Sequence, residues 1–354
     1  MKRRRLWFGI LLPVVLAVAA PAVAQSPRQK TIDAILKAWQ ERQDRFRTVQ
    51  VSFEGEQVIT KGKFSRMPAV KVPHDPSAGP QPPEDHKARD SESLVIGAGK
   101  YRHEIKGRQS WWADERRFRS TDSTVTFDSK IWKSKRETAG AESRQGSIQI
   151  PDRPSEVADT ALYPLFMSFR PVDLVFRSFD INEFTPTGAA PIVGTNACIE
   201  LTKRQVSNQY LLSVCLDPAR DYVVTRLRSH VKNVLGSHVE ITYKRDPEYG
   251  WVPDSWRIDE YEGVGKLSSS HSKRVTSYEF NRELGEKTFD LEFDPLTIVR
   301  DSIRNERFLV REDGSRRRVE SDEFRKSFQE LLTTEPKLSL IHISEPTRLR
   351  RISY

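Results

Sequence analysis

The sequence predicts a mainly β protein of the α+β class, with one large antiparallel sheet and few helices. Segments of alternating apolar and polar residues, such as "RVTSYEFN" and "TFDLEF", recur through most of the chain. Asp313-Gly314 stands at the centre of "FLVREDGSRRRVE" and is a strong signal for a tight hairpin. The chain is 37% hydrophobic and 30% charged, which favours a sheet with one solvated face over a parallel sheet covered on both faces.

The N-terminus has the three-part pattern of a secretory signal. Four cations, Lys2–Arg5, precede an apolar run, and Ala22-Val23-Ala24 supplies small residues at a cleavage site. The run is shorter than the roughly 20 residues that a membrane span needs, and Pro13 and Pro21 interrupt it. We therefore expect a signal peptide over residues 1–24 and an exported, periplasmic or otherwise extracytoplasmic protein that is not integral to the membrane.

The C-terminus carries a segment of a different kind. "LSLIHISEPTR", residues 338–348, resembles the translation of a sequencing adapter, so residues 338–354 are expected to be an artefactual tail after one domain, residues 25–337. Seven of the 58 basic and one of the 49 acidic residues lie in the two ends, so the formal net charge falls from +9 to +3. So small a charge does not indicate a nucleic-acid partner. The densest basic run, Arg316–Arg318, is expected to be a solvated hairpin face.

The first predicted element is a helix that leads directly into a strand. In "TIDAILKAWQERQDRFRT" one helical stripe collects the apolar residues, and Thr31 is the predicted N-cap. The stripe consists of Ile32, Ile35, Leu36, Trp39 and Phe46. Val49, Val51 and Phe53 then alternate with polar residues, which predicts the strand.

Two loops and two further helices complete the predicted layout. Residues 62–90 contain six prolines and no periodicity, which predicts a long disordered loop. A second loop is predicted from Thr138 to about Val157. A short apolar helix is expected over Leu162–Phe169, ended by Pro171. Near the C-terminus, Phe324, Phe328, Leu331 and Leu332 fall at helical spacing.

Cys198 and Cys215 are the two cysteines of the chain. A hairpin centred between Val206 and Ser207 places them opposite each other, with Ile199 facing Val214 and Leu201 facing Leu212 on the other side of the hairpin. An oxidising compartment permits a bridge between them. We expect a structural disulfide, since a redox-active pair normally has C-x-x-C spacing at a helix start.

No pattern in the sequence indicates catalysis, a cofactor or a metal. His230 and His238 are predicted to oppose each other across a hairpin, but a metal site needs three or four ligands, so a solvent-facing pair is the favoured interpretation. "GAGK" at residues 97–100 lacks the flanking residues of a phosphate-binding loop. H-E-x-x-H and G-x-S-x-G motifs are absent. We therefore expect a protein that is not an enzyme.

Two parts of the chain, about residues 31–60 and 193–311, contain segments that resemble a known family. "ILKAWQERQDRFRTVQVSFEGEQV" is similar to the opening of LolA/LolB-type lipoprotein carriers and their broader superfamily of exported half-barrel proteins. "ACIELTK" and "VEITYKRDPEYGWVPDSWRIDEYEG" resemble its strand pattern, and "TFDLEFDPLTIVRD" resembles its closing segment. The resemblance implies a strongly curved antiparallel half-barrel sheet around an apolar groove, with an N-terminal helix and a short lid helix.

The resemblance also implies a function, namely the binding of acyl chains or lipoproteins, with lipoprotein sorting as one use. A dry groove suffices for this because each buried methylene contributes roughly 0.8 kcal/mol. The expected groove residues are Trp39, Val51, Phe53, Leu165, Phe166, Met167, Ile199, Leu201, Leu212, Val214, Ile241, Phe289, Leu291 and Phe293. Two alternatives stay open: an envelope sensor or assembly module that binds proteins without transporting lipid, and a hydrolase whose site forms only in three dimensions.

Overall fold

The computed structural model describes most of the chain between the two ends. The described residues are 26–60, 85–111, 119–141, 143–151, 160–173, 179–187, 192–193, 196–205, 209–263, 265–324 and 326–333. The predicted signal peptide, residues 62–84 of the predicted Pro-rich loop and the predicted tail lie outside them.

The first half of the chain supplies one helix and the strands of one side of the sheet. Helix α1 spans Pro27–Arg45. The strands that follow are β1 (Thr48–Ile59), β2 (His86–Gly97), β3 (Lys100–Trp111), β4 (Arg119–Phe127), β5 (Trp132–Thr138) and β6 (Arg144–Gln149). Helix α2 (Tyr163–Phe169) then confirms the short apolar helix that the sequence predicts.

The second half supplies the rest of the strands and a short last helix. The strands are β7 (Thr185–Pro186), β8 (Ile192–Val193), β9 (Asn196–Ala197), β10 (Ile199–Gln205), β11 (Tyr210–Asp217), β12 (Val223–Val231), β13 (Val234–Asp246), β14 (Gly250–Glu262), β15 (Lys266–Phe280), β16 (Thr297–Asp301), β17 (Glu306–Val310) and β18 (Arg316–Val319). Helix α3 spans Phe328–Thr333.

Among the described residues, sixteen strands form one open sheet. Its order is β18-β17-β16-β6-β5-β4-β3-β2-β1-β15-β14-β13-β12-β11-β10-β7. Neighbouring strands run antiparallel, except that β6 and β16 are parallel. The sheet curves, because Phe127 on β4 and Leu201 on β10 belong to the same apolar core although nine strand-to-strand steps separate them. The predicted mainly β class and the curved antiparallel sheet are confirmed.

Helix α1 begins earlier than the sequence predicts. Its N-cap is Ser26, whose Oγ accepts a hydrogen bond from the Gln29 amide at 3.2 Å, and Pro27 occupies the first helical position. Thr31, the predicted cap, lies one turn inside the helix, where its hydroxyl donates to the Pro27 carbonyl. The buried stripe is confirmed, because Ile32, Ile35 and Trp39 all pack into the core.

Both predicted loops contain strands. β2 begins at His86, inside the segment assigned to the Pro-rich loop, and its residues alternate between buried and exposed. β6 lies inside the predicted loop from Thr138 to Val157. Both strands lack the apolar alternation that predicts a strand. The buried positions of β2 include histidine, aspartate and glutamate, and β6 has the mostly polar sequence RQGSIQ.

The disulfide between Cys198 and Cys215 is present, with 5.6 Å between the Cα atoms. The predicted register is wrong by two residues: Glu200 pairs with Cys215, and Leu201 pairs with Val214. A shift of two residues keeps each side chain on its face, so the bridge still forms, diagonally. Closing a loop of this length stabilises the fold by about 3 kcal/mol in the loop-entropy model.

The predicted histidine pair is wrong. The two strands pair two residues out of the predicted register, so His238 pairs with Arg228. A β-bulge between Ser229 and His230 then shifts the register again, so His230 pairs with Leu235. The hairpin turn itself is formed by Lys232 and Asn233, both at positive φ, as its tight geometry requires. Within the described ranges, no group of three or more His, Cys, Asp or Glu residues is placed to hold a metal ion.

The C-terminal part differs from the prediction in three places. The Asp313-Gly314 hairpin is confirmed, but Arg317 is buried and its Nη2 donates to Glu323 at 2.5 Å instead of being solvated. The last helix is confined to α3, so that Phe324 is exposed outside it. "TFDLEF" forms a 3-10 turn and an irregular segment in place of a strand.

None of the helices in the described part of the chain combines the length and the apolar character needed to cross a bilayer.

Candidate functional site

The inner, concave face of the sheet is apolar at the end that α1 and α2 cover. Ten of the fourteen predicted groove residues meet in one buried core there, and Ile199 packs against it. The ten are Trp39, Val51, Phe53, Leu165, Phe166, Met167, Leu201, Leu212, Val214 and Ile241. Their role as the lining of an acyl groove stays a prediction.

The remaining three predicted groove residues do not belong to this core. Leu291 is buried, and Phe289, in a 3-10 turn, is half-buried. Phe293 packs near Phe308 in a separate apolar cluster that is formed by residues of β6, β16 and β17. They lie apart because the segment that carries them leaves the sheet after β15.

Helix α2 is held to the sheet by hydrogen bonds from buried polar groups as well as by apolar packing. The Ser168 hydroxyl contacts the Tyr243 hydroxyl at 2.9 Å, and Tyr243 donates in turn to the Val224 carbonyl. Trp256 Nε1 donates to the Ala161 carbonyl, just before the helix, at 2.9 Å. Burial of the Tyr243 phenol raises its pKa to about 12, so it stays a neutral donor.

Two buried arginines join the end of α2 to its surroundings. Arg42 on α1 donates from Nε to the Ser168 carbonyl at 2.5 Å and from Nη2 to the Trp251 carbonyl. Arg170 donates to the carbonyls of Phe46 and Arg47. Burial lowers the pKa of both guanidinium groups. Among the described residues no carboxylate lies within ion-pair distance of Arg42, although its side chain is 1% exposed.

The other end of the concave face carries a buried ion cluster, which consists of Asp90, Glu92, His103 and Lys273. Lys273 Nζ on β15 donates to Asp90 Oδ1 at 2.5 Å and to Glu92 Oε1, both on β2. His103 Nε2 on β3 donates to Glu92 Oε2 at 2.5 Å. These four side chains are only 2–4% exposed. Each charge is therefore stabilised by its neighbours in the cluster and not by water.

The protonation of the ion cluster follows from these contacts. Burial alone would raise the pKa of Glu92, but the His103 hydrogen bond and the Lys273 charge lower it to about 2. Burial also opposes the charge on Lys273, yet the two carboxylates raise its pKa above the ordinary value. Burial and the neighbouring Glu92 raise the pKa of Asp90, since one ammonium cannot fully compensate two carboxylates.

A glycine in the middle of a central strand makes room for the cluster. Gly55 on β1 pairs with Lys273, whose side chain crosses β1 to reach β2. A Cβ on Gly55 would lie 2.1 Å from Lys273 Cδ. Glycine inside a strand often marks such a close approach.

We predict that Gly55→Ala destabilises the protein by about 1–3 kcal/mol, because it displaces an ammonium that two carboxylates hold. Urea unfolding measures this, with Gly285→Ala as the control, since its Cβ would meet nothing nearer than Thr288 Oγ1 at 3.8 Å. The penalty should vanish in a Lys273→Ala background, because the obstacle is then gone. An equal penalty in both backgrounds would show that the clash is not with Lys273.

Polar side chains continue beyond the ion cluster toward the same end of the concave face. Gln57 Nε2 donates to His271 Nε2 at 3.2 Å, and Ser269 donates to Glu260 at 2.8 Å. Ser229 and Ser237 share a hydrogen bond at 2.7 Å. The concave face is therefore amphipathic along its strands, whereas the sequence predicts an apolar lining only.

The ion cluster is not evident in the sequence, for a physical reason. The predicted Pro-rich loop, residues 62–90, ends at Asp90 and close to Glu92, and Gly55, His103 and Lys273 lie far from each other in sequence. The available signal was the alternation of His86, Ala88, Asp90, Glu92 and Leu94, which fits a strand only if buried charges are allowed.

Comparison with known proteins assigns no family to the chain. No protein-family model matches it, and none of the curated proteins matches it. Among solved structures, it is similar to the crystal structure of LolA superfamily protein NE2245 from Nitrosomonas europaea, at 9% identity and a TM-score of 0.38, over 72% of this chain and 97% of that chain. It is also similar to PNGF-II, at 8% identity and a TM-score of 0.23, over 73% of this chain and 32% of that one.

Proposed function

We propose that this protein is an exported, periplasmic binding protein for acyl chains of lipids or lipoproteins and has no catalytic activity. The observation that carries the proposal is the construction of α2. Its residues are almost all apolar and buried against the concave face. Arg42 donates to the Ser168 carbonyl and Tyr243 contacts the Ser168 hydroxyl, near the C-terminal end of the helix. Trp256 donates to a backbone carbonyl just before the helix, and Arg170 just after it donates to backbone carbonyls that follow α1. The sequence resemblance to LolA/LolB-type carriers implies the same class of ligand.

A helix of this kind can act as a lid, because an acyl chain can take its place against the apolar end of the concave face. When α2 moves away from the sheet, the apolar end of the concave face needs a replacement cover, and an acyl chain supplies about 0.8 kcal/mol for each methylene that it buries. The hydrogen bonds at the ends of α2 are few and local, so they can break and re-form without unfolding the sheet. Their breakage sets the cost of ligand entry.

Native mass spectrometry and probe uptake test the proposal directly. Protein purified from a bacterial envelope should carry acyl-chain mass, and delipidated protein should bind a fluorescent fatty acid with a saturable increase in emission. A protein that is empty when purified and takes up no probe would exclude acyl binding.

We further predict that Arg42→Met increases affinity for the fluorescent fatty acid by roughly tenfold. The substitution removes the hydrogen bond from Arg42 Nε to the Ser168 carbonyl, which holds α2 to α1. A hydrogen bond from a charged donor is worth about 1.5 kcal/mol, and its loss lowers the cost of opening by that amount. Arg282→Met is the matched control, because Arg282 is exposed and pairs with Glu279 on the surface. Unchanged affinity in Arg42→Met would mean that α2 does not control entry.

A second candidate is a scaffold that binds other envelope proteins without lipid. The close packing of the predicted groove residues favours it, since the ten that meet in the core are all buried against each other and against α1. If Arg42→Met also fails to take up the probe, this candidate replaces the first.

A further inference from the structure

A β-bulge turns one arginine of β3 toward the concave face. Tyr101, His103 and Ile105 alternate on the buried side of β3, so Arg108, three residues further on, would normally point to the opposite side. Between Ile105 and Arg108, β3 has one residue more than β4. Gly107 adopts a positive φ there, and its amide donates to Asp122 at 2.6 Å. Bulges of this kind are often found where a side chain is re-aimed for function.

Within the described ranges, the two polar contacts of the Arg108 side chain do not include a bidentate ion pair. Its Nη2 donates to Gln57, a neutral amide, and its Nε lies 3.8 Å from Asp90 Oδ2. That carboxylate already accepts a hydrogen bond from Lys273 at 2.5 Å through its other oxygen. Arg108 is 32% exposed, whereas Asp90 is 2% exposed, so the arginine stands at the border between the buried ion cluster and solvent.

We propose, resting on the acyl-binding function above, that Arg108 with Gln57 and His271 forms a subsite for the anionic head group of an amphiphile, a carboxylate or a phosphate. Gln57 joins the two other side chains, because it accepts from Arg108 and donates to His271. A planar guanidinium is well suited to such oxygens, which it binds through two parallel hydrogen bonds.

The position of this head-group subsite matches the shape of an amphiphile. Gln57 lies four residues after Phe53 on β1, and both point to the concave face, so about 13 Å of strand separates the apolar end from the subsite. The chain of the ligand would lie among the apolar residues, and its head would reach Arg108. The ion cluster between them is internally paired, and its Lys273 and His103 hold the two carboxylates that would otherwise repel an anion.

The decisive experiment compares a fluorescent fatty acid with the methyl ester of the same acid. Arg108→Gln should bind the free acid about tenfold more weakly than the unmodified protein does, because the carboxylate loses its charged partner. It should bind the ester, which has no charge, with an affinity within about twofold of that of the unmodified protein. Arg102→Gln is the matched control, since Arg102 lies on the same strand, points to the other face and is 26% exposed. It should leave both affinities unchanged.

Competition distinguishes the two sources of the anion. Displacement of the probe by a lysophospholipid with a free phosphate, and not by one with a choline-capped phosphate, indicates a lipid phosphate. Displacement by unlabelled fatty acid alone indicates a carboxylate. Inorganic phosphate alone should not displace the probe, and displacement by it would overturn the amphiphile subsite.

The outcomes separate this inference from the proposed function. If the unmodified protein binds neither probe, both fail. If it binds acid and ester equally, or if Arg108→Gln and Arg102→Gln lower the affinity for the acid alike, the head-group subsite fails and acyl binding stands. Should Arg108→Gln not fold, Arg108→Lys still decides: it keeps the charge but cannot make two parallel hydrogen bonds, so the preference for the acid over the ester should fall severalfold. An unchanged preference in Arg108→Lys would overturn the head-group subsite.

Discussion

Replacement of Lys273 by methionine is expected to destabilise the protein by about 3–5 kcal/mol, the largest effect of any single substitution considered. The change keeps the volume of the side chain but leaves Asp90 and Glu92 buried without the ammonium that both contact. Breaking a buried ion pair from one side costs this much because the remaining charge can neither reach water nor find a new partner.

Urea unfolding of the purified protein measures the effect, and the strand itself provides the control. Lys266 lies at the exposed start of the same strand, β15, so Lys266→Met should change the free energy of unfolding by less than about 0.5 kcal/mol. Adding Asp90→Asn and Glu92→Gln to Lys273→Met should recover part of the loss, since the unpaired charges are then removed. A cost below about 1 kcal/mol for Lys273→Met would mean that water reaches the cluster.

The second large effect concerns acid. Because the pKa of Glu92 is about 2 in the folded protein against an ordinary 4.5, the unfolded chain takes up this proton first as the pH falls. The stability that Glu92 contributes is therefore complete above pH 4.5 and is lost as the pH falls toward 2. The loss amounts to about 3 kcal/mol. Asp90, whose pKa burial raises, acts in the opposite direction, because its folded form binds the proton more readily.

Urea unfolding at a series of pH values between about 6 and 2.5 tests this linkage. The unmodified protein should lose stability with acid more steeply than Glu92→Gln, which has no carboxylate to protonate at that position. Glu137→Gln, at an exposed carboxylate that pairs with Arg144, should follow the unmodified protein. Parallel curves for Glu92→Gln and the unmodified protein would show that Glu92 is not held ionised by Lys273 and His103.

The concave face carries both the ion cluster that stabilises the fold and the residues of the proposed ligand site. Its apolar end is covered by α2, the proposed lid, and its polar end has an internally paired ion cluster with Arg108 at the border. A ligand with one apolar and one anionic part fits both ends at once. The variants Arg42→Met and Arg108→Gln examine the two ends separately, so they show whether chain and head group bind independently.

The sequence alone determined those features that depend on neighbouring residues. The apolar stripe of α1, the short α2 with its flanking proline, and the turn at Asp313-Gly314 are local patterns, and local backbone preferences decide them. The cysteine pair could also be predicted from the sequence, because a register error of two residues leaves each side chain on the same face of the sheet.

Tertiary structure decided the order of the strands and the polar end of the concave face. β1 pairs with β15, more than 200 residues away, and only this pairing places Lys273 beside Gly55 and within reach of Asp90 and Glu92. The bulge that turns Arg108 inward exists only relative to β4. Buried charges of this kind are stable only when their partners come from other strands. The local sequence of β2 alternates, but its buried positions are charged, so the apolar pattern of a strand is missing.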